Sequence, residues 1–276
     1  LSVAIRLPKE AQASFVDRPQ DYIQFMAHTN DRLRNAILTL GGTVDFAEDG
    51  RLLGYWNAPE EQKDHIERAC TCALQMIDDM SILTQNLQSA AFAKMARVID
   101  ESPNSAFEQG CVEIGLASDV AYCGPVGKAT RNRYSVIGPV VRFVGQLRRR
   151  SILYGPAIIC DETVFKALRH QYALLDLDIL RVEDEDQLRP IYGLVGNPFL
   201  KASKPFRELA DLQRDFVNNW RDGQLDEAGK CLEQLKQMPG KHAAYIELME
   251  KRLIRAKKSG KTGDAQKMLL AETVQL

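Results

Sequence analysis

The sequence predicts a mixed sheet domain, α/β or α+β, that ends near Gly196 and is followed by a helical tail. Three observations predict it. Apolar runs with helical spacing alternate with short strand-like runs up to Gly196. A Lys-, Ser- and Pro-containing stretch, Asn197–Pro205, then interrupts the pattern as a linker. Beyond it the spacing is helical to the end. The expected division is therefore 1–196 for the sheet domain, 197–205 for the linker and 206–276 for the tail.

Each element follows from local chemistry. Leu1–Leu7 alternates loosely and reads as a strand stopped at Pro8. Asp21–Leu40 carries Phe25, Met26, Leu33, Ala36, Ile37 and Leu40 at helical spacing, and Gly41-Gly42 ends it. Thr43–Phe46 and Arg51–Trp56 flank Asp49-Gly50, a strong two-residue hairpin signal. A helix is expected from about Pro59 to Leu83, resuming over Leu87–Ile99, with Ser102–Gln109 as a loop. Gly110–Ala117, Val120–Cys123 and Arg133–Val136 read as strands, and Pro139–Arg149 as a helix burying Val140, Val141, Val144 and Leu147. Ala157–Cys160 is a short buried strand, and Asp161 is suited to cap a helix running to His170. Tyr172–Val182 and Leu188–Val195 form a closing strand pair. The tail divides into Phe206–Trp220, Leu225–Gln237, His242–Lys257 and Gly263–Thr273. Its first two helices have the pattern of one tetratricopeptide-type pair, without a second copy.

Bulk properties exclude several classes. The 276 residues are 45% hydrophobic and 26% charged with a net charge of -1, so no global field favours nucleic acid. The six cysteines are scattered, and neither they nor His28, His65, His170 and His242 make a zinc pattern, so reduced thiols, no metal site and no cofactor are expected. No run reaches the roughly 18 apolar residues that span a bilayer. The expected location is cytoplasmic. Because the chain starts inside an apolar run, it also reads as a piece of a longer protein whose membrane anchor, if it has one, lies upstream.

Two blocks carry a family resemblance. The first is Gly41-Gly42-Thr43-Val44-Asp45 followed by Tyr55-Trp56-Asn57-Ala58-Pro59, Asp64-His65 and Arg68-Ala69. The second is Ile114-Gly115, Gly124, Gly127, Arg131, Tyr134 to Gly138, Val141 and Leu147, with Tyr154-Gly155 after it. Together they resemble class III adenylyl/guanylyl cyclase catalytic domains over about residues 1–196. The resemblance implies an α+β, ferredoxin-like domain that dimerises head to tail.

It also implies where the chemistry should sit. The family cyclises a nucleoside triphosphate with two metal ions held by two aspartates. By register the first aspartate falls on Leu7 and the second on Gly50. The base-selecting pair falls on Phe46 and Ser135, the ribose-orienting Asn on Arg142 and the transition-state Arg on Gln146. Losing one electrostatic stabiliser costs roughly a hundred- to a thousand-fold in rate. The resemblance therefore implies a degenerate member: a non-catalytic signalling module that works through a protein partner, with a homodimer expected, nucleotide binding open and any membrane contact outside this chain.

Two alternatives stand beside it. One is a metal-independent nucleotide or anion receptor in the former substrate cleft, using Arg142, Arg131 and Ser135, with Arg133 nearby. The other is a low-activity cyclase with Asp49 as a displaced metal ligand, helped by Glu48 or Asp45. Against the first stands the reading of these arginines as solvated surface residues, and against the second that of Asp49-Gly50 as a turn. Arg148-Arg149-Arg150 reads as a solvated helix end, and Lys251–Lys261 as an exposed basic helix.

Overall fold

A computed structural model of the chain describes residues 1–5, 7, 13, 15–46, 51–85, 112–128, 131–181, 188–238 and 243–259. The chain forms two compact units, Leu1–Ser151 and Ile152–Leu276. The division does not fall at Gly196, where the sequence pattern changes.

The first unit is a layer of antiparallel strands backed by helices. Strand β1 (Ser2–Ile5) lies between β3 (Leu52–Tyr55) and β4 (Val112–Leu116), antiparallel to both. Strand β2 (Thr43–Phe46) pairs with β3 in the register Thr43↔Tyr55 to Phe46↔Leu52. Asp49-Gly50 and the neighbouring Glu48 lie outside the described residues. Helix α1 (Pro19–Thr39) begins at a proline, whose fixed φ suits a first helical turn. It ends in a turn through Gly41, at φ 74, and the Trp56 indole donates to Leu40 O at 3.0 Å. Gly42 has no room for a Cβ, because Trp56 and Ile37 close on it.

Helix α2 (His65–Gln85) starts later than its apolar spacing suggests. Asn57 and Gln62 explain the delay. Each donates its backbone N–H to the other's side-chain oxygen, at 3.3 and 2.7 Å, which holds 57–62 as a turn. The expected continuation over Leu87–Ile99 and the loop Ser102–Gln109 lie outside the described residues.

Strands β5 (Tyr122–Lys128) and β6 (Arg131–Ile137) form a separate two-stranded ribbon, longer than their apolar cores suggest. Helix α3 (Pro139–Tyr154) follows. Its continuation past Arg149 corrects the expectation of a solvated end. Arg148 is buried and ion-paired at 2.9 Å with buried Glu113 on β4, and buried Arg150 donates to Gln146 O at 3.1 Å. Gly115 sits where a Cβ would collide with the backbone of Val144, so β4 and α3 touch main chain to main chain.

The second unit is built on β7 (Ile158–Cys160), β8 (Ala173–Arg181) and β9 (Leu188–Gly196), with β9 antiparallel to both others. Helix α4 (Glu162–Leu168) is capped as expected: the Asp161 carboxylate accepts from Val164 N at 2.9 Å. Where a linker was expected, Pro198–Ala202 forms a short helix, α5, capped by Asn197. Helices α6 (Lys204–Arg221), α7 (Leu225–Gln237) and α8 (Ala243–Ser259) follow. The α6 stripe of Phe206, Leu209, Phe216, Val217 and Trp220 is buried, together with Ala228, Leu232 and Leu235 of α7 and Tyr245 and Met249 of α8. Helix α6 packs on β8. Among the described residues no helix is long and apolar enough to cross a membrane.

Candidate functional site

A buried carboxylate organises the polar cluster of the first unit. Asp45 lies on β2, opposite Leu53 of β3, and is only 4% exposed. A buried ionised carboxylate is costly unless donors surround it. Two donors from β6 reach it. The Ser135 hydroxyl donates to Oδ2 and the Arg133 guanidinium pairs with Oδ1 at 2.9 Å. Ser135 is itself buried, whereas the Arg133 side chain is largely exposed. In β6, residues 133 and 135 point to one face by strand alternation, which brings both to the same carboxylate.

An aromatic wall flanks this cluster. Tyr55 is buried among Leu53, Val136 and Val144. Its hydroxyl donates to Tyr134 O at 3.3 Å, and the two rings stack at 6.4 Å. Burial, and then the negative charge of Asp45, push the Tyr55 phenol up to about 12.

Leu7 is a buried aliphatic side chain two residues past β1. Gly50 and Asp49 lie outside the described residues, and of Phe46 and Arg131 only the strand positions are described. Ser135 joins Asp45. Arg142 is exposed in the first turns of α3, and Gln146, one turn on, is buried. The structure thus brings Ser135 and Arg133 together through Asp45, and engages Arg133 with a carboxylate of its own chain. Asp45 was expected at most as a helper metal ligand. The signal for its actual role is an acid at a strand position opposite Leu53, which burial obliges to find donors.

The residues were tested against the metal pair that the family resemblance implies. Leu7 has an aliphatic side chain, Asp45 Oδ2 accepts from Ser135, and Oδ1 faces the Arg133 guanidinium as an ion pair without a hydrogen bond. Among the described residues no group of three His, Cys, Asp or Glu could hold a metal ion. The described residues do not fit the pair, so no chemical step is derived through it.

No family model matches the chain. A curated relative, adenylate cyclase 1 of Rhizobium meliloti (strain 1021), is 21% identical over 178 residues, which are 64% of this chain and 24% of that protein. The chain thus spans about a quarter of that relative's length. Among solved structures, the adenylyl cyclase CyaB from P. aeruginosa superposes with a TM-score of 0.56 at 17% identity, over 71% of this chain and 93% of that one. The guanylyl cyclase Cya2 gives 0.56 at 16% identity, over 71% and 90%. A guanylyl cyclase domain of the RhoGC fusion protein from Blastocladiella emersonii, described as dimeric, gives 0.51 at 16% identity, over 71% and 96%.

These likenesses establish a mixed α+β fold resembling class III cyclase catalytic domains. They overturn one expectation. The chain was read as a non-catalytic module acting through a protein partner, yet the similar proteins carry the names of adenylyl and guanylyl cyclases, and nothing in their likeness marks this chain as inactive. The expected inactivity rested on the sequence register of Leu7, Gly50, Phe46, Arg142 and Gln146 alone.

Proposed function

We propose that the first unit binds a purine nucleoside triphosphate, holding it without a divalent pair at the Leu7 position. The observation that carries this reading is the cluster of Asp45 and Arg133 around Ser135, one of the two positions that the family resemblance assigns to base selection, on a fold resembling that of nucleotide cyclases. Because the Ser135 hydrogen is donated to Asp45, the oxygen can only accept from a ligand. An acceptor suits the amino group at position 6 of adenine and opposes the carbonyl of guanine. Arg142, in the first turns of α3, adds a guanidinium near the positive end of that helix for the phosphates.

Calorimetry with ATP and GTP in EDTA tests the proposal. ATP should bind about tenfold tighter than GTP, the worth of one misdirected hydrogen bond, and Arg142→Ala should weaken both. No heat with either nucleotide, or an unchanged affinity in Arg142→Ala, removes the reading.

A second reading draws its support from the names of the similar proteins: bound nucleotide is cyclised slowly, a reading that would use Asp49 as a displaced carboxylate. Purified protein with ATP or GTP and Mn²⁺ would then yield cyclic nucleotide, and Asp49→Asn would abolish it. The homodimer that the resemblance implies belongs to the same proposal, as does reading α6 and α7 as a tetratricopeptide-type pair. Light scattering on the purified chain reports the dimer.

A further inference from the structure

The second unit contains a buried junction that the nucleotide reading does not use. Strand β8 is irregular: its register with β9 shifts between Asp176 and Asp178, so Leu177 has no opposite partner. A bulge of this kind releases backbone groups from the ladder, and they need new partners. Helices supply them. Gln213 of α6 donates to Asp176 O at 2.6 Å, and the Tyr245 hydroxyl of α8 donates to Leu177 O at 3.0 Å.

The next residue, Asp178, is 2% exposed and joins two helices through one oxygen. Its Oδ2 accepts from the Tyr154 hydroxyl at 2.6 Å and from Arg252 Nη1. Tyr154 is the last residue of α3, and Arg252 belongs to α8. The Arg252 guanidinium also lies over the Trp220 ring at 5.4 Å, and the rings of Tyr154 and Tyr245 stand 6.4 Å apart. A buried ion pair adds little net stability over an apolar contact of similar size, but removing one partner is severe. Such a pair therefore specifies an arrangement more than it strengthens one.

We infer that α8 is a latch on the C-terminal end of α3, with Asp178 as its catch. If α8 withdraws, Asp178 loses its cation and keeps the Tyr154 hydroxyl, and the last turn of α3 loosens with it. If Tyr154 lets go, the hold on Arg252 weakens in the same measure, because coupling between two sites is reciprocal.

Amide hydrogen exchange on the full chain tests the latch. Tyr154→Phe keeps the ring and removes only the hydroxyl. It should speed exchange across 243–259 by about tenfold, although residue 154 is not in that helix. Arg252→Met keeps the length and removes the charge. It should speed exchange in the last turn of α3 by roughly a hundredfold. In the double variant the effects should be well short of multiplicative. Exchange in α1 serves as the internal reference and should stay unchanged. If each helix responds only to its own substitution, or if the two effects multiply, the latch does not exist. If Arg252→Met prevents folding, Tyr154→Phe still decides the matter through α8. The readout involves no nucleotide, so it stands or falls separately from the binding proposal.

Discussion

At the scale of single residues, burial sets the protonation behaviour. Tyr55 and Tyr192 are both pushed up to about 12, in each case chiefly by desolvation and next by a nearby aspartate, Asp45 and Asp176 respectively. A raised folded-state value means that the folded chain keeps a proton which the unfolded chain releases near pH 10. The stabilisation is complete below pH 10 and is lost as pH climbs towards 12. Urea midpoints at pH 9 and pH 11 should therefore fall more steeply in the parent chain than in Tyr55→Phe. Cys70, Cys72 and Cys160 are buried, and burial pushes Cys72 up to about 12, whereas Cys123 is exposed. Alkylation followed by peptide mapping should label Cys123 well before those three in the folded protein. Residue chemistry of this kind is only half legible in a sequence. That Asp45 lies in a strand is readable from Thr43–Phe46; that Arg133 and Ser135 converge on it depends on a pairing across 90 residues.

At the scale of elements, the boundaries expected from apolar spacing succeed where local signals act alone. The Asp161 cap and the α7 range, Leu225–Gln237, are of this kind. Replacing Asp161 by Ala should cost about 1 kcal/mol, measured by chemical denaturation. Spacing fails where a distant partner decides. Arg148 and Arg150 looked like a solvated terminus, yet Glu113 on another strand draws Arg148 inside and the helix runs on to Tyr154. A local signal can also be overlooked: Pro198 and Lys201 looked like linker chemistry, yet the adjacent Asn197 caps a helix there. Strand β4 and helix α3 meet through main chain at Gly115. Gly115→Ala forces a methyl group into the backbone of Val144, and we expect a loss of about 3 kcal/mol in the same assay. That glycine was readable as part of a motif; its cause, a main-chain contact with a helix, was not.

At the scale of the molecule, the alternation of helices and strands was sufficient to predict a mixed α+β architecture, and the likeness to cyclase catalytic domains agrees with it. The helices after residue 203 follow the composition change at Asn197–Pro205; α6 covers β8 and shares a compact unit with it. Deleting residues 206–276 should therefore uncover Asp178 and the apolar face of β8. We expect the shortened chain to aggregate or to melt without a cooperative transition in calorimetry, whereas an independent tail would leave the melt of the remainder intact.

The three-way junction at Asp178 has a consequence for inheritance. A lineage that loses the guanidinium at position 252 strands an anion inside the protein, and a lineage that loses the anion strands the guanidinium. Neither step is a comfortable stopping place. Descendant sequences should thus alter positions 154, 178 and 252 as a set, exchanging the whole polar trio for apolar residues or keeping all of it, and mixed combinations should be rare among living variants.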